Sequence, residues 1–287
     1  HSHEELQRLF AGKTVSTEFA VGEDAFVLSG TTSPEDMQAQ LQLLAAYLSK
    51  PGFRAEAERL ARRQLDELYV KLERTVEGVM QDEAARFLHG GDRRFGYPAR
   101  ESLERLSLAD VRAWMSRALA HGYLEVSVAG DIGEAEARSL VAQTFGALAP
   151  RPAEKPAYAE AREVGFPAPG TRFEASAETG LQRAILAGYW ETTDMDAISQ
   201  VRRLGVLARV FDDRLRKRLR EELGEAYSPY AYHEASDVFD GYGHLTAISL
   251  IAPDQTGPVA GLMRSIADEL AADGVSEDEF ERMLAPL

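Results

Sequence analysis

The sequence contains no cysteine. Disulfide bonds, catalysis by a thiolate and metal sites built from thiolates are therefore excluded. No apolar run approaches the roughly 20 residues that a helix needs to cross a bilayer, and the amino end lacks the basic and apolar regions of a secretory signal. We therefore expect a soluble chain without a targeting segment. Because it starts at His1 and ends within a helical pattern, we expect it to be a piece of a longer protein.

Basic residues are fewer than acidic residues. Lys and Arg total 32 against 47 Asp and Glu, which gives a net charge of −15. A nucleic-acid-binding domain normally carries the opposite balance, so we predict no nucleic-acid partner. The basic run from Arg214 to Arg220 is flanked by acidic residues, and its default interpretation is a solvated helix face.

Catalytic and nucleotide-binding motifs are missing as well. None of the six histidines stands in H-E-x-x-H or H-x-x-E-H, and no Walker, G-x-G-x-x-G or G-x-S-x-G sequence occurs. His89, at a predicted helix end, is interpreted as a cation that faces the helix dipole. His233 and His244 fall on neighbouring predicted strands and could face one another, but no third ligand is evident. We therefore predict no metal and no cofactor in this chain.

The order of strand-like and helical patterns indicates an α+β fold. Two strand-like runs at 13–21 and 24–30 precede a helix that starts near Ser33. A long charged helix is predicted from about Phe53 to Phe87, followed by a helix capped by Ser107 and a strand at 123–131. Strand pairs interrupted by helix pairs predict a mainly antiparallel sheet with helices packed on one face, rather than a doubly wound parallel sheet.

A proline-rich segment divides the chain. Residues 149–170 hold five of the twelve prolines, which is typical of an extended, semi-rigid linker. The pattern then restarts with strand-like runs at 171–177 and 181–190, a long helix closed at Gly224, a hairpin over Asp240-Gly241 and two more helices.

The two halves also resemble each other. Four positions of one strand-to-helix junction match the second half at a constant offset of 158 residues: Leu28, Gly30, Asp36 and Met37 with Leu186, Gly188, Asp194 and Met195. Since the order of elements is also shared, we predict a duplication. The predicted organisation is two homologous α+β domains, residues 1–150 and 171–287, joined by a linker at 151–170.

The end of the long helix in the second half carries the candidate site. Arg220 lies one turn before the helix stop at Gly224, and Tyr227 opens the following strand. A guanidinium and a phenol can both donate hydrogen bonds to a carbonyl oxygen. Spacing alone favours a surface arginine and a packed tyrosine over such a site.

At LREELGEAY the chain resembles the pitrilysin/insulinase family of zinc peptidases, and the resemblance extends over nearly the whole chain. It rests also on GYPARESLERLSLADVRAWMSRAL and LEVSVAGDIGEAEARSLVAQTFGAL. The resemblance implies two homologous halves that close around a substrate. In the family, the amino-terminal half binds zinc through H-x-x-E-H and a downstream Glu, and the other half supplies an Arg and a Tyr to the substrate carbonyl. These two correspond to Arg220 and Tyr227.

The resemblance identifies this chain as the carboxy-terminal, non-zinc half of such a peptidase, inactive alone. Glu67 lies near the place of a third zinc ligand, but without the two histidines of the zinc motif it is interpreted as a surface acid. Zinc is expected in the amino-terminal half of the parent polypeptide, and the expected partners are that half and peptide substrates. A homodimer is left open, and a bacterial periplasm or cell envelope is the predicted location. The alternative is a non-catalytic scaffold whose acidic face holds basic peptides.

Overall fold

Eleven α-helices and five β-strands make up the described part of the chain, residues 3–223 and 228–284 of a computed structural model. The helices are α1 (His3–Leu9), α2 (Met37–Ser49), α3 (Ala55–Arg74), α4 (Val76–Val79), α5 (Ala85–Leu88), α6 (Arg100–Glu104), α7 (Leu108–His121), α8 (Glu134–Thr144), α9 (Ile198–Leu223), α10 (Thr256–Asp273) and α11 (Glu277–Leu284). The strands are β1 (Glu18–Val21), β2 (Phe26–Ser29), β3 (Ala184–Glu191), β4 (Tyr230–Ala235) and β5 (Gly243–Ile251). Helices with small antiparallel sheets confirm the predicted α+β class. Within the described residues, none of the helices combines the length and apolarity needed to cross a membrane.

The chain divides into two compact units. The first comprises His1–Gln64 and Glu101–Ala157, and the second comprises Leu65–Arg100 and Tyr158–Leu287. The passage from Ala157 to Tyr158 falls within the proline-rich segment. The division into two homologous domains stays a prediction.

The first unit contains an antiparallel hairpin and helices. Strands β1 and β2 pair with Glu18 opposite Ser29 and Val21 opposite Phe26. Helix α7 begins with the predicted cap, because the Ser107 side chain accepts a hydrogen bond from the backbone of Asp110 and the Asp110 carboxylate accepts one from Ser107. Local capping chemistry is therefore sufficient to start this helix.

The predicted helix from Phe53 to Phe87 is largely confirmed, but it is interrupted at Thr75. Helix α3 ends at Arg74, and Thr75 adopts an extended conformation whose side chain accepts a hydrogen bond from Gly78 N at 2.9 Å. Short helical segments follow, with a π-helical turn at Met80–Ala84 between α4 and α5. A Cβ at Gly78 would lie 2.2 Å from the carbonyl oxygen of Lys71, so the chain folds back on α3 at a point that only glycine permits.

Two predicted strands form no ladder. Residues 123–129 and 171–177 are outside any strand in the described part of the chain, although the exposure of 123–129 alternates from one residue to the next. Alternation reports which face a residue takes, whereas a strand also requires a hydrogen-bonding partner. The pattern predicted the alternating exposure of residues 123–129, but the described residues supply no strand partner for them.

The second unit holds a sheet in the order β3-β5-β4, all antiparallel. Helices α9 and α10 pack on one face of this sheet, and the core between helices and sheet includes five residues with no exposed surface: Val210, Leu215, Ala247, Val259 and Ile266. Trp190 of β3 joins this core against Phe211, with ring centroids 5.3 Å apart. The hairpin over Asp240-Gly241 forms as predicted, with Gly241 at φ +67°.

Candidate functional site

Helix α9 carries the basic run that leads to Arg220. Four of its cations have acidic partners: Arg214 with Glu279 at 2.8 Å, Arg216 with Asp212 at 2.8 Å, Lys217 with Asp213 at 2.7 Å and Arg218 with Glu269 at 2.6 Å. The hydrogen bond from Arg214 lowers the pKa of Glu279 to about 2, so this carboxylate is charged at neutral pH. These cations stabilise α9 and its packing against α10 and α11.

Arg220 differs from these neighbours. It is exposed in the last turn of α9, and within the described residues its side chain makes no hydrogen bond and no ion pair. Leu219, the preceding residue, is 1% exposed and belongs to the core. Within the described residues Arg220 therefore has no ion-pair or hydrogen-bond partner, and it lies on a helix whose opposite face is packed in the core.

Tyr227, the other member of the predicted pair, lies in residues 224–227, outside the described residues. The Arg220–Tyr227 pairing therefore stays a prediction. The described chain resumes at Ser228, and β4 begins at Tyr230. The corner that bears the predicted pair thus leads from the end of α9 into the sheet.

The face of this sheet opposite α9 and α10 is the second part of the candidate site. Directly paired residues of antiparallel strands share a face. By the register of the three strands, this open face consists of Ile185, Ala187, Tyr189 and Glu191 of β3, His244, Thr246, Ile248 and Leu250 of β5, and Tyr230, Tyr232 and Glu234 of β4. Tyr230, Tyr232 and Leu250 are 47%, 38% and 37% exposed. A surface with this many aromatic and aliphatic groups in solvent is typical of a binding site.

Three tyrosines, Tyr189, Tyr230 and Tyr232, supply most of the aromatic surface of the open face. Tyr189 and Tyr232 flank Thr246 in one row across the strands, and the rings of Tyr230 and Tyr232 stack with centroids 5.9 Å apart. Burial, together with the neighbouring Tyr232 and Tyr230, raises the pKa of Tyr189. Burial likewise raises the pKa of Tyr232. Both phenols are therefore protonated at neutral pH and can donate hydrogen bonds.

The next row consists of Glu191, His244 and Glu234. His244 is only 5% exposed, and its Nδ1 lies 2.9 Å from Thr246 Oγ1. Burial, with smaller effects of His89 and His233, lowers the pKa of His244 to about 4. At neutral pH His244 is an uncharged ring between two exposed carboxylates.

The His244 end of the face is covered by the segment after α5. His89 stacks on Phe95 and Tyr242, with ring centroids 3.4 and 4.9 Å apart, and Tyr242 Oη donates to the carbonyl oxygen of Leu88 at 3.1 Å. The interpretation of His89 as a cation is wrong, because burial lowers its pKa more than the hydrogen bond to Ala85 raises it. His89 is a neutral stacking residue.

The structure also corrects the placement of His233 and His244. His233 pairs with Leu245, whereas His244 pairs with Glu234, so the two rings point to opposite faces of the sheet. His233 Nε2 instead lies 3.0 Å from Thr192 Oγ1. Among the described residues, no three His, Cys, Asp or Glu side chains are grouped so that they could hold a metal ion. Glu67 is exposed on α3, as its interpretation as a surface acid requires.

Sequence reasoning missed the open face. The available signal was the period of two in YAYHE, which places Tyr230, Tyr232 and Glu234 on one side of a strand. The contributions of Tyr189 and His244 come from other strands, and only the register of the sheet brings them beside these residues.

Comparisons with known proteins agree with this architecture. The family model of the peptidase M16 inactive domain matches residues 105–287. The fold is similar to that of the ferredoxin protease FusC in complex with Arabidopsis ferredoxin, with a TM-score of 0.74 and 16% identity over 99% of this chain and 31% of FusC. It is similar to the peptidase M16 inactive domain from Pseudomonas fluorescens, with a TM-score of 0.73 and 16% identity over 99% of this chain and 68% of that one.

Pitrilysin also matches, with a TM-score of 0.64 and 14% identity over 97% of this chain and 30% of pitrilysin. This chain therefore spans about a third of the length of FusC and of pitrilysin. Comparison of the sequence with curated proteins finds no match. The family model covers well over half of the chain, and on that ground the chain belongs to the M16 peptidase family, as an inactive domain of the pitrilysin type.

Proposed function

We propose that this chain is the carboxy-terminal half of a zinc-dependent metalloendopeptidase and that it encloses peptide substrates together with the amino-terminal half. In this proposal Arg220 and Tyr227 donate hydrogen bonds to the scissile carbonyl oxygen. Negative charge develops on that oxygen as the peptide bond is attacked, so fixed donors stabilise the transition state more than the ground state. The chain alone is then catalytically silent.

The observation that carries the proposal is the exposed guanidinium of Arg220, for which the described residues supply no partner. The neighbouring cations from Arg214 to Arg218 have carboxylate partners, whereas Arg220 has none within the described residues. A guanidinium without a partner, exposed at the end of a helix with a buried opposite face, is available to a ligand. Its five donors suit a carbonyl oxygen or oxyanion.

Zinc is assigned to the other half of the parent polypeptide. The described residues of this chain do not fit a zinc site, since no group of three suitable side chains occurs among them. We expect metal analysis of the purified chain to find no stoichiometric zinc. Stoichiometric zinc would contradict the division of roles between the two halves.

The test of the proposal is peptide cleavage by the full-length parent enzyme. Removing one oxyanion donor typically lowers the rate about 10²- to 10³-fold, and we expect this loss in kcat for Arg220→Ala and for Tyr227→Phe. Arg216→Ala is the matched control, because it removes a cation one turn earlier that is paired with Asp212. Unchanged cleavage by both Arg220→Ala and Tyr227→Phe would refute the proposed role of the pair.

A second candidate function is a non-catalytic scaffold or peptide-binding subunit. The family model that matches the chain is described as an inactive domain, and the open face offers a binding surface. The sequence of the amino-terminal half of the parent polypeptide distinguishes the two candidate functions. An intact H-x-x-E-H in the amino-terminal half favours the peptidase, and a degenerate motif favours the scaffold.

The proposed partners follow from the same reasoning. They are the zinc-bearing amino-terminal half and peptide substrates, and FusC in complex with ferredoxin supports a polypeptide ligand for this fold. A homodimer and a location in the bacterial periplasm or envelope stay predictions.

A further inference from the structure

The open face of the β3-β5-β4 sheet has an uneven charge. Its residues include two carboxylates, Glu191 and Glu234, at the ends of one cross-strand row, and none of its residues is a lysine or an arginine. Both carboxylates are exposed, and neither makes a hydrogen bond or an ion pair within the described residues. His244 between them is neutral at pH 7, so the row carries two uncompensated negative charges.

Two of the three tyrosines of the face lie in line with one of these carboxylates, Glu234. Tyr230, Tyr232 and Glu234 alternate along β4, so their side chains project at intervals of about 6.6 Å. The two tyrosine rings are stacked, with an interplanar angle of 20°, and both are more than a third exposed. Each therefore exposes a substantial part of its side chain to solvent, and Leu250 on β5 adds an exposed aliphatic surface.

This combination fits one kind of ligand. A lysine or arginine side chain is attracted to the face of a tyrosine ring and to a carboxylate, and its aliphatic stem packs on apolar groups. An extended peptide repeats its side chains at the same interval of about 6.6 Å, so alternate residues can meet Tyr230, Tyr232 and Glu234 in turn. The net charge of −15 also attracts cationic peptides, and it does so over a longer range than these contacts.

We propose that the open face binds extended peptide segments that carry Lys or Arg, with Tyr230, Tyr232, Glu234 and Glu191 as the residues that select the cationic side chains. The inference rests on the proposed function to the extent that this half meets peptide substrates. It adds a substrate preference and assigns it to residues other than Arg220 and Tyr227.

The test is equilibrium binding of fluorescein-labelled peptides to the purified 287-residue chain, measured by fluorescence anisotropy at low salt. One probe is an acetylated, amidated 11-residue peptide with arginine at three alternate positions. The second probe has citrulline at the same positions, which keeps the shape and removes the charge. We expect the arginine probe to bind about tenfold more tightly, and higher salt to reduce this difference.

Two variants assign the preference to the open face. Tyr232→Leu removes a π face but keeps an apolar side chain, and Glu234→Gln removes one charge. Each should weaken binding of the arginine probe about three- to fivefold and leave the citrulline probe within twofold.

The first unit supplies matched controls. Tyr123 and Glu125 are also an exposed tyrosine and glutamate two residues apart. Tyr123→Leu and Glu125→Gln make the same chemical changes and the same change in net charge elsewhere, and they should leave binding of both probes within twofold.

The inference is overturned if the two probes bind equally, or if Glu125→Gln weakens the arginine probe as much as Glu234→Gln does, since the attraction would then come from net charge alone. Loss of cleavage in the Arg220→Ala parent with equal binding of the probes would overturn this inference and leave the proposed function standing. Arginine-selective binding with unchanged cleavage would support the open face and refute the role of Arg220.

Discussion

Because the His244 ring is buried, we expect the second unit to lose stability in mild acid. The ring is buried, and its pKa in the folded chain is about 4, against about 6.5 in the unfolded chain. Between these two values the unfolded state binds more protons than the folded state, so the free energy of unfolding falls as the pH is lowered from about 6.5 towards 4. The full difference corresponds to about 3 kcal/mol at most, and about 2 kcal/mol of it is lost between pH 7 and pH 5.

The assay is urea unfolding at pH 7 and pH 5, followed by the fluorescence of Trp190. This tryptophan packs on Phe211 in the core of the second unit, whereas Trp114 of the first unit is 61% exposed. A Trp114→Phe background therefore leaves one reporter, which lies in the same unit as His244. Carboxylates contribute little to the change above pH 5, since the ordinary pKa values of Asp and Glu are near 4.

The comparison that isolates His244 is the His244→Gln variant in the same background. Between pH 7 and pH 5, we expect this variant to lose about 2 kcal/mol less stability than the Trp114→Phe chain that retains His244. His89 and His233, whose pKa values burial also lowers, account for a remaining loss of the same sign. His121→Gln, at the exposed end of α7, is the control and should keep the loss of the parent. Equal losses in His244→Gln and the parent would refute the burial of a neutral ring at this position.

Three further substitutions test the packing around the site by the same unfolding measurement at pH 7. Ser249→Ala should leave stability unchanged or raise it by about 1 kcal/mol, because the buried Ser249 hydroxyl has no hydrogen-bond partner among the described residues. Tyr242→Phe should cost about 1 kcal/mol, since it removes the buried hydrogen bond to the carbonyl oxygen of Leu88; a cost below about 0.3 kcal/mol would contradict that contact. Gly78→Ala should cost about 1–3 kcal/mol, because the new Cβ meets the backbone of α3, and a neutral effect would mean that the chain does not fold back there.

The parts of the fold that were predictable are those with local causes. The Ser107–Asp110 capping box and the glycine at the tip of the β4–β5 hairpin act within a few residues, and both form as the sequence indicates. The break after Arg74 is harder to predict, because the charged helical pattern continues through Thr75; the turn is made by the Thr75 cap on Gly78 N and by the close approach of Gly78 to Lys71. A pattern of exposure cannot show such an approach.

The candidate site shows the same limit. The separation of His233 from His244 onto opposite faces depends on which residue pairs with which, and one step in register reverses the faces. The partial burial of His89 depends on Phe95 and Tyr242, and Tyr242 is distant from His89 in the sequence. Motifs identified the residues near the site, but pairing and stacking decide which of them share a surface and which are charged.

Arg220 is separate from the residues that fix α9 in place, so a test of its proposed role can be interpreted. Leu215 and Leu219 lie four residues apart in the core and fix the rotation of the helix about its axis. Because successive residues of an α-helix are turned by about 100°, Arg220 is directed away from this buried stripe. Arg214 and Arg218 hold the same helix to Glu279 and Glu269 on α11 and α10. Truncation of Arg220 removes none of these contacts, so its effect on folding stays within about 0.5 kcal/mol, as for other surface substitutions. A fall in kcat on truncation would therefore measure a contact that Arg220 makes with the substrate.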